Sequence, residues 1–212
     1  QTSLAILEKH PASIDLIIAL TVQASLHLAR GENAKVMPLY QRSQKILAAL
    51  NHPAHPMHAN LLSLISRQQL KQGNTFEALK SVSRAVMQVR DTQGKTHPRF
   101  AQMLSDQANI FSQAGQTKRA VSLYQEAIEI YTRTHGPESA ILCAPLQNLA
   151  QLHQRKGHFP QALKMLNRAL RIAGKTLGNN HQETALILAS LADLRVAMHD
   201  LPAAGQATIK AR

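Results

Sequence analysis

Apolar residues recur along this chain at helical spacing, as in Leu163, Leu166, Leu170 and Ile172, with polar residues between them. The pattern predicts helices in pairs, at about 14–29 and 34–50, 57–71 and 75–91, 99–113 and 117–133, 140–155 and 159–175, then 183–197 and 201–212. Gly31, Gly73, Gly115 and Gly157 stand 42 residues apart at the midpoints of the first four pairs. A glycine suits the left-handed residue that closes a helix. In the fifth pair His199 takes that place, and Asp200 offers an N-cap for the helix after it. Pro- and Asn-rich turns separate the pairs. One unit therefore repeats along the chain, and stacked repeats form a single solenoid over 1–212, with copies at about 14–55, 56–97, 98–139, 140–181 and a truncated 182–212. Residues 1–10 read as the end of an upstream repeat helix stopped by His10-Pro11, the shape that recurs at Ile46–Leu50 before Asn51-His52-Pro53. The expectation is a piece cut from a longer protein.

Small residues fix the register. Ala24, Ser66, Ala108, Ala150 and Ala192 precede each midpoint by seven positions. Val36, Ala78, Ala120, Ala162 and Ala204 follow it by five, and Ser43, Ala85, Ala127, Ala169 and Ala211 come seven later. Such columns belong where the two helices of a hairpin cross, because larger side chains would push them apart.

Composition agrees. The chain is 44% hydrophobic but only 3% aromatic and has no Trp, so its core is aliphatic and favours close helix packing over an aromatic-filled β-sandwich. Lys and Arg number 24 against 12 acidic residues, a formal charge of +12. That field draws acidic partners, although it also serves simply to keep a Leu-rich solenoid soluble. Cys143 stands alone, which rules out an intrachain disulfide and fits a reducing, cytoplasmic compartment. No apolar run is long enough to span a bilayer.

Candidate chemistry is sparse. His52, His55 and His58 lie close together in NHPAHPMH, but no Cys or carboxylate joins them. His55 also recurs at His97 and His181, so it reads as part of the repeat turn, and no metal site is expected. Cys143 shares the column of Ala59, Ala101 and Ala185, a place for a small buried side chain. There is no Gly-rich phosphate loop, Ser-His-Asp order or supported carboxylate pair. The expectation is a protein without catalytic residues or a cofactor.

Asn148-Leu149-Ala150, Leu152, Gly157, Phe159, Ala162 and Ala169-Leu170, closed by Leu177-Gly178, His181 and Ala185, together resemble the tetratricopeptide repeat in its 42-residue, kinesin-light-chain-like variety. Ala108, Gly115, Ala120, Tyr124, Ala127 and Gly136-Pro137 carry the same pattern, while Asn33 and Thr75 stand where an aromatic is usual. The resemblance implies an all-α, right-handed α-solenoid of antiparallel helix pairs. It also implies that the first helices line a concave groove for an extended peptide or partner helix. By repeat position that groove takes Asn60, Ser63, Arg67 and Lys71 from the second copy. The third gives Gln102, Ser105, Asn109 and Gln113, and the fourth Gln147, Gln151, Gln154 and Arg155. The apolar ends, with Ile18 in the first copy and Leu186 in the fifth, flank this polar middle. Amides pair with the alternating N–H and C=O of an extended backbone, and Arg67, Lys71 and Arg155 select acidic side chains. The Lys and Arg set by which chaperone-binding members clamp a terminal carboxylate is not reproduced in phase. Two other readings stay open. Arg42, Lys80, Arg84, Lys164, Arg168 and Arg171 on the second helices make a basic convex stripe that suits nucleic acid or an anionic surface, without aromatics for base stacking. The apolar end repeats would also allow chains to stack end to end.

Overall fold

The computed structural model describes residues 13–51 and 55–210, with side chains to residue 198. The upstream helix end expected over 1–10, His52 of the histidine cluster, and the side chains of His199, Asp200, Ala204 and Ala211 lie outside what is described. Among the described residues there are nine α-helices and no strand. They are α1 Ile14–Ala29, α2 Val36–Ala49, α3 Pro56–Lys71, α4 Thr75–Gln93, α5 Pro98–Gln113, α6 Thr117–His135, α7 Cys143–Arg155, α8 Phe159–Thr176 and α9 Gln182–Lys210. Short 3₁₀ turns, Asn33–Lys35 and Ala140–Leu142, lead into α2 and α7. The fold is an α-solenoid of antiparallel helix pairs, as the repeat and the family resemblance imply.

The chain divides into two compact units, Gln1–Lys95 and Thr96–Arg212. In the first, α1 packs on α2, α2 on α3 and α3 on α4. Its core is built from Leu16, Ile17, Leu20, Tyr40, Leu47 and Leu61, all essentially solvent-free. In the second, α5 packs on α6, α6 on α7, α7 on α8 and α8 on α9, and the first helices also touch, α5 with α7 and α7 with α9. Tyr124, Leu149 and Leu152 fill its centre around Ala108 and Ala120.

The turn chemistry is local and repeated. Midpoint glycines adopt positive φ, for instance +74° at Gly157. There the N–H of His158 reaches back to the carbonyl of His153 at 2.9 Å and that of Gly157 to Gln154 at 2.9 Å. This pair of hydrogen bonds closes a helix C-terminus on its own orphan carbonyls. At the other end of the hairpins, histidine caps the first helix. Nδ1 of His55 accepts from the Met57 N–H at 3.2 Å, His97 from Arg99 at 3.1 Å and His181 from Glu183 at 3.1 Å. Pro56 and Pro98 follow two of these caps, where a missing N–H costs nothing.

The small-residue columns are buried where both helices of a pair are present: Ala24, Ser66, Ala108 and Ala150, then Val36, Ala78, Ala120 and Ala162, then Ser43, Ala85, Ala127 and Ala169. The fifth pair differs. Where the pattern predicts helices at 183–197 and 201–212, the backbone is one helix, α9, running through position 199. The physical reason is the missing glycine: a residue with a Cβ resists the left-handed conformation that ends each earlier first helix. Ala192 is accordingly exposed, unlike its four counterparts.

Candidate functional site

In the Thr96–Arg212 unit the first helices α5, α7 and α9 are joined by amides. Nδ2 of Asn148 donates to Oδ1 of Asn109 at 3.3 Å, and the same oxygen accepts from the buried Tyr124 hydroxyl. Asn109 thus ties α5 to both α6 and α7. Burial pushes the Tyr124 phenol well above its ordinary range, with the Asp106 carboxylate adding to the shift. Gln147 makes the next tie: its Nε2 donates to the Leu186 carbonyl at 3.2 Å and to the Ser190 hydroxyl at 2.7 Å. Two side chains that repeat position assigns to a ligand therefore hold helices together.

Beside these ties a cleft of about 560 Å³ opens between α7 and α9. Gln147, Gln151, Gln154 and Arg155 line it from α7, Phe159 and Leu166 form its apolar part from α8, and Ser190 and Asp193 face it from α9. Gln151 and Arg155 are exposed and Gln154 half-buried, and no hydrogen bond among the described residues engages the side chain of any of the three. Arg155 and Asp193 give the cleft one charge of each sign. It offers amide donors and acceptors, a cation and an apolar floor in one place.

The remaining predicted residues lie elsewhere. Gln102 and Gln113 are exposed on α5, and Ser105 donates its hydroxyl to the Ala101 carbonyl at 3.0 Å within its own helix. Asn60, Ser63, Arg67 and Lys71 belong to α3 in the other unit, with Ser63 buried and Arg67 and Lys71 exposed. Position in the repeat did not flag Ser190, and Phe159 entered only as one residue of the repeat pattern. The signal for Ser190 was its place one helical turn from Asp193.

Other candidates resolve on their contacts. Cys143 is 1% exposed with its Sγ 3.6 Å from the Ala169 carbonyl, and burial raises its thiol pKa. His153, in the last turn of α7, has both ring nitrogens buried without a partner, and its ring centroid is 5.8 Å from that of His158. Burial, then the neighbouring His158 and Lys156, holds its pKa below the ordinary imidazole value. The basic stripe is partly neutralised: Glu138 collects Lys175 at 2.8 Å and Arg171 at 3.4 Å, and Arg168 donates to the Pro137 carbonyl at 3.3 Å. No helix among the described residues is long and apolar enough to cross a membrane.

A family model for the tetratricopeptide repeat matches residues 57–133, 99–175 and 140–206. No curated protein sequence matches the chain. Among solved structures, BtubC (BKLC) from P. vanneervenii aligns with a TM-score of 0.73 at 22% identity, covering 93% of this chain and 78% of that one. The nearly identical, kinesin-light-chain-like TPR repeats of Podosopora anserina align at 0.70 and 21% identity, covering 90% of each chain. The apo form of RapI aligns at 0.68 and 14% identity, covering 87% and 64%. At these identities the likeness is one of fold.

Proposed function

Because the chain belongs to the tetratricopeptide repeat family, whose members bind protein or peptide partners and are generally non-enzymatic scaffolds, we propose that it is an interaction module that takes an acidic peptide segment in the cleft between α7 and α9. The observation that carries the reading is that Gln151, Gln154 and Arg155 stand together without intramolecular partners beside the apolar Phe159 and Leu166. Amides on one helix face match an extended backbone, the apolar floor takes a side chain, and Arg155 pairs with a carboxylate. The excess of 24 basic over 12 acidic residues favours the same class of partner. On α3, Arg67 and Lys71 offer the Gln1–Lys95 unit cationic contacts of its own. A single buried, unpaired cysteine suits work in the cytoplasm.

Panning a peptide library on the whole chain tests this. Binders are expected to be rich in Asp and Glu and to lose about tenfold or more in affinity against a Gln151→Leu, Arg155→Glu variant, since a charge-assisted hydrogen bond is worth about 1.5–3 kcal/mol. Binders indifferent to that variant, or without acidic enrichment, would overturn the assignment.

A further inference from the structure

The Thr96–Arg212 unit has a second cleft, of about 420 Å³, between the second helices α6 and α8. Its floor is Leu146 and Leu149 of α7, overlaid by the half-buried Ile128 and Met165. Its rims are charged with opposite sign. Lys164 and Arg168 stand one helical turn apart on α8, and Glu129 stands on α6. No ion pair among the described residues involves Lys164 or Glu129, so both charges are presented to solvent.

We propose that this cleft docks an amphipathic helix of a partner protein. The partner sets apolar residues on Ile128 and Met165, directs carboxylates at Lys164 and Arg168, and directs a basic residue at Glu129. The charge pattern argues for that occupant. Side chains four apart on a docked helix stand about 5–6 Å from one another, the same turn that separates Lys164 from Arg168. An apolar stripe bordered by charged residues is the ordinary make-up of a surface helix, and the opposite signs of these rims select one with an acidic and a basic edge. A nucleic acid strand fits poorly, because the floor is apolar and Glu129 repels phosphate.

The other unit contains a natural contrast. Counting back 84 residues, two copies, Leu62 and Arg84 take the places of Leu146 and Arg168 and line a cleft of about 570 Å³ between α2 and α4, where the polar Gln44 replaces Ile128. Lys45 and Ser81 hold the repeat positions of Glu129 and Met165 but do not line that cleft, and Ser81 donates its hydroxyl to Gln69 at 2.8 Å. Each unit thus has a cleft between second helices, but the two linings differ in position and in chemistry. A helix with mixed edges therefore belongs to the α6–α8 cleft.

A labelled synthetic helix with a Leu stripe, Glu along one edge and Lys along the other, titrated into the whole chain by fluorescence anisotropy, tests the proposal. Saturable binding is expected, weakened about tenfold or more by Lys164→Glu with Arg168→Glu and also by Met165→Glu. Glu129→Lys is expected to favour a probe with Glu on both edges. The Gln151→Leu, Arg155→Glu variant should bind the helix normally, which separates this site from the α7–α9 cleft. Lys164 and Glu129 are exposed, whereas Arg168 is half-buried and bonds the Pro137 carbonyl, so Lys164→Glu is also made alone, and its unchanged melting shows that a loss of binding is not a loss of folding. Equal binding of a scrambled peptide of the same composition would overturn the proposal, as would indifference to the α8 variants.

Discussion

Asn109 accepts hydrogen bonds from the Tyr124 hydroxyl and the Asn148 amide, while Gln151, on the next first helix, has no partner among the described residues. The two amides hold comparable repeat positions, six before a midpoint glycine, yet they face different chemistry. Asn109→Leu is expected to destabilise the chain by about 1–3 kcal/mol, because it leaves a buried hydroxyl without its acceptor, whereas Gln151→Leu stays within about 0.5 kcal/mol. Urea unfolding of the two variants makes the comparison. Adding Tyr124→Phe to Asn109→Leu should recover part of the loss, since contacting residues are not additive. Equal stability of the single variants would mean the Asn109 tie carries no energy. This contrast also marks how far the sequence reaches. Repeat position places a residue on a helix face, and Gln147, Gln151, Gln154 and Arg155 do share one cleft. It does not say which neighbour claims a side chain, because that depends on Tyr124, Asn148 and Ser190 arriving from three other places.

The hairpins were legible because both of their determinants are local. A glycine at the midpoint ends one helix, and small residues at fixed distances let the next lie close; all the columns with described partners are buried. At Gly157 a Cβ would meet no atom within 4 Å, so the requirement there is conformational and not steric. Gly157→Ala should therefore cost about 1–2 kcal/mol, the strain of a left-handed L-residue, with the hairpin intact. Chemical denaturation reads the cost, and a variant as stable as the parent would show that the turn can close another way. The fifth copy departs from the pattern for the converse reason. Its apolar spacing imitates the others, but His199 supplies no left-handed stop, and α9 continues to Lys210. The α6–α8 cleft was also invisible to the pattern, since Ile128 and Met165 look like any core positions until the helices beside them are placed.

At the scale of the molecule the chain comprises two compact units, Gln1–Lys95 and Thr96–Arg212, and its one thiol lies in the second. Cys143 touches the backbone of α8 from the first turn of α7 and is 1% exposed, so a thiol reagent reaches it only when that hairpin opens. Labelling in native buffer should be slower than in denaturant by a factor that follows the opening equilibrium, provided the hairpin recloses faster than the reagent attacks. Rapid labelling of the folded chain would contradict the burial. The same cysteine is thus a built-in clock for one half of the protein. Circular dichroism follows helices in both units, but the labelling rate follows Thr96–Arg212 alone. Where the two give one free energy, the units unfold as a single cooperative body. Where the thiol gives the smaller value, the carboxy-terminal unit opens on its own, and the α7–α9 cleft opens with it.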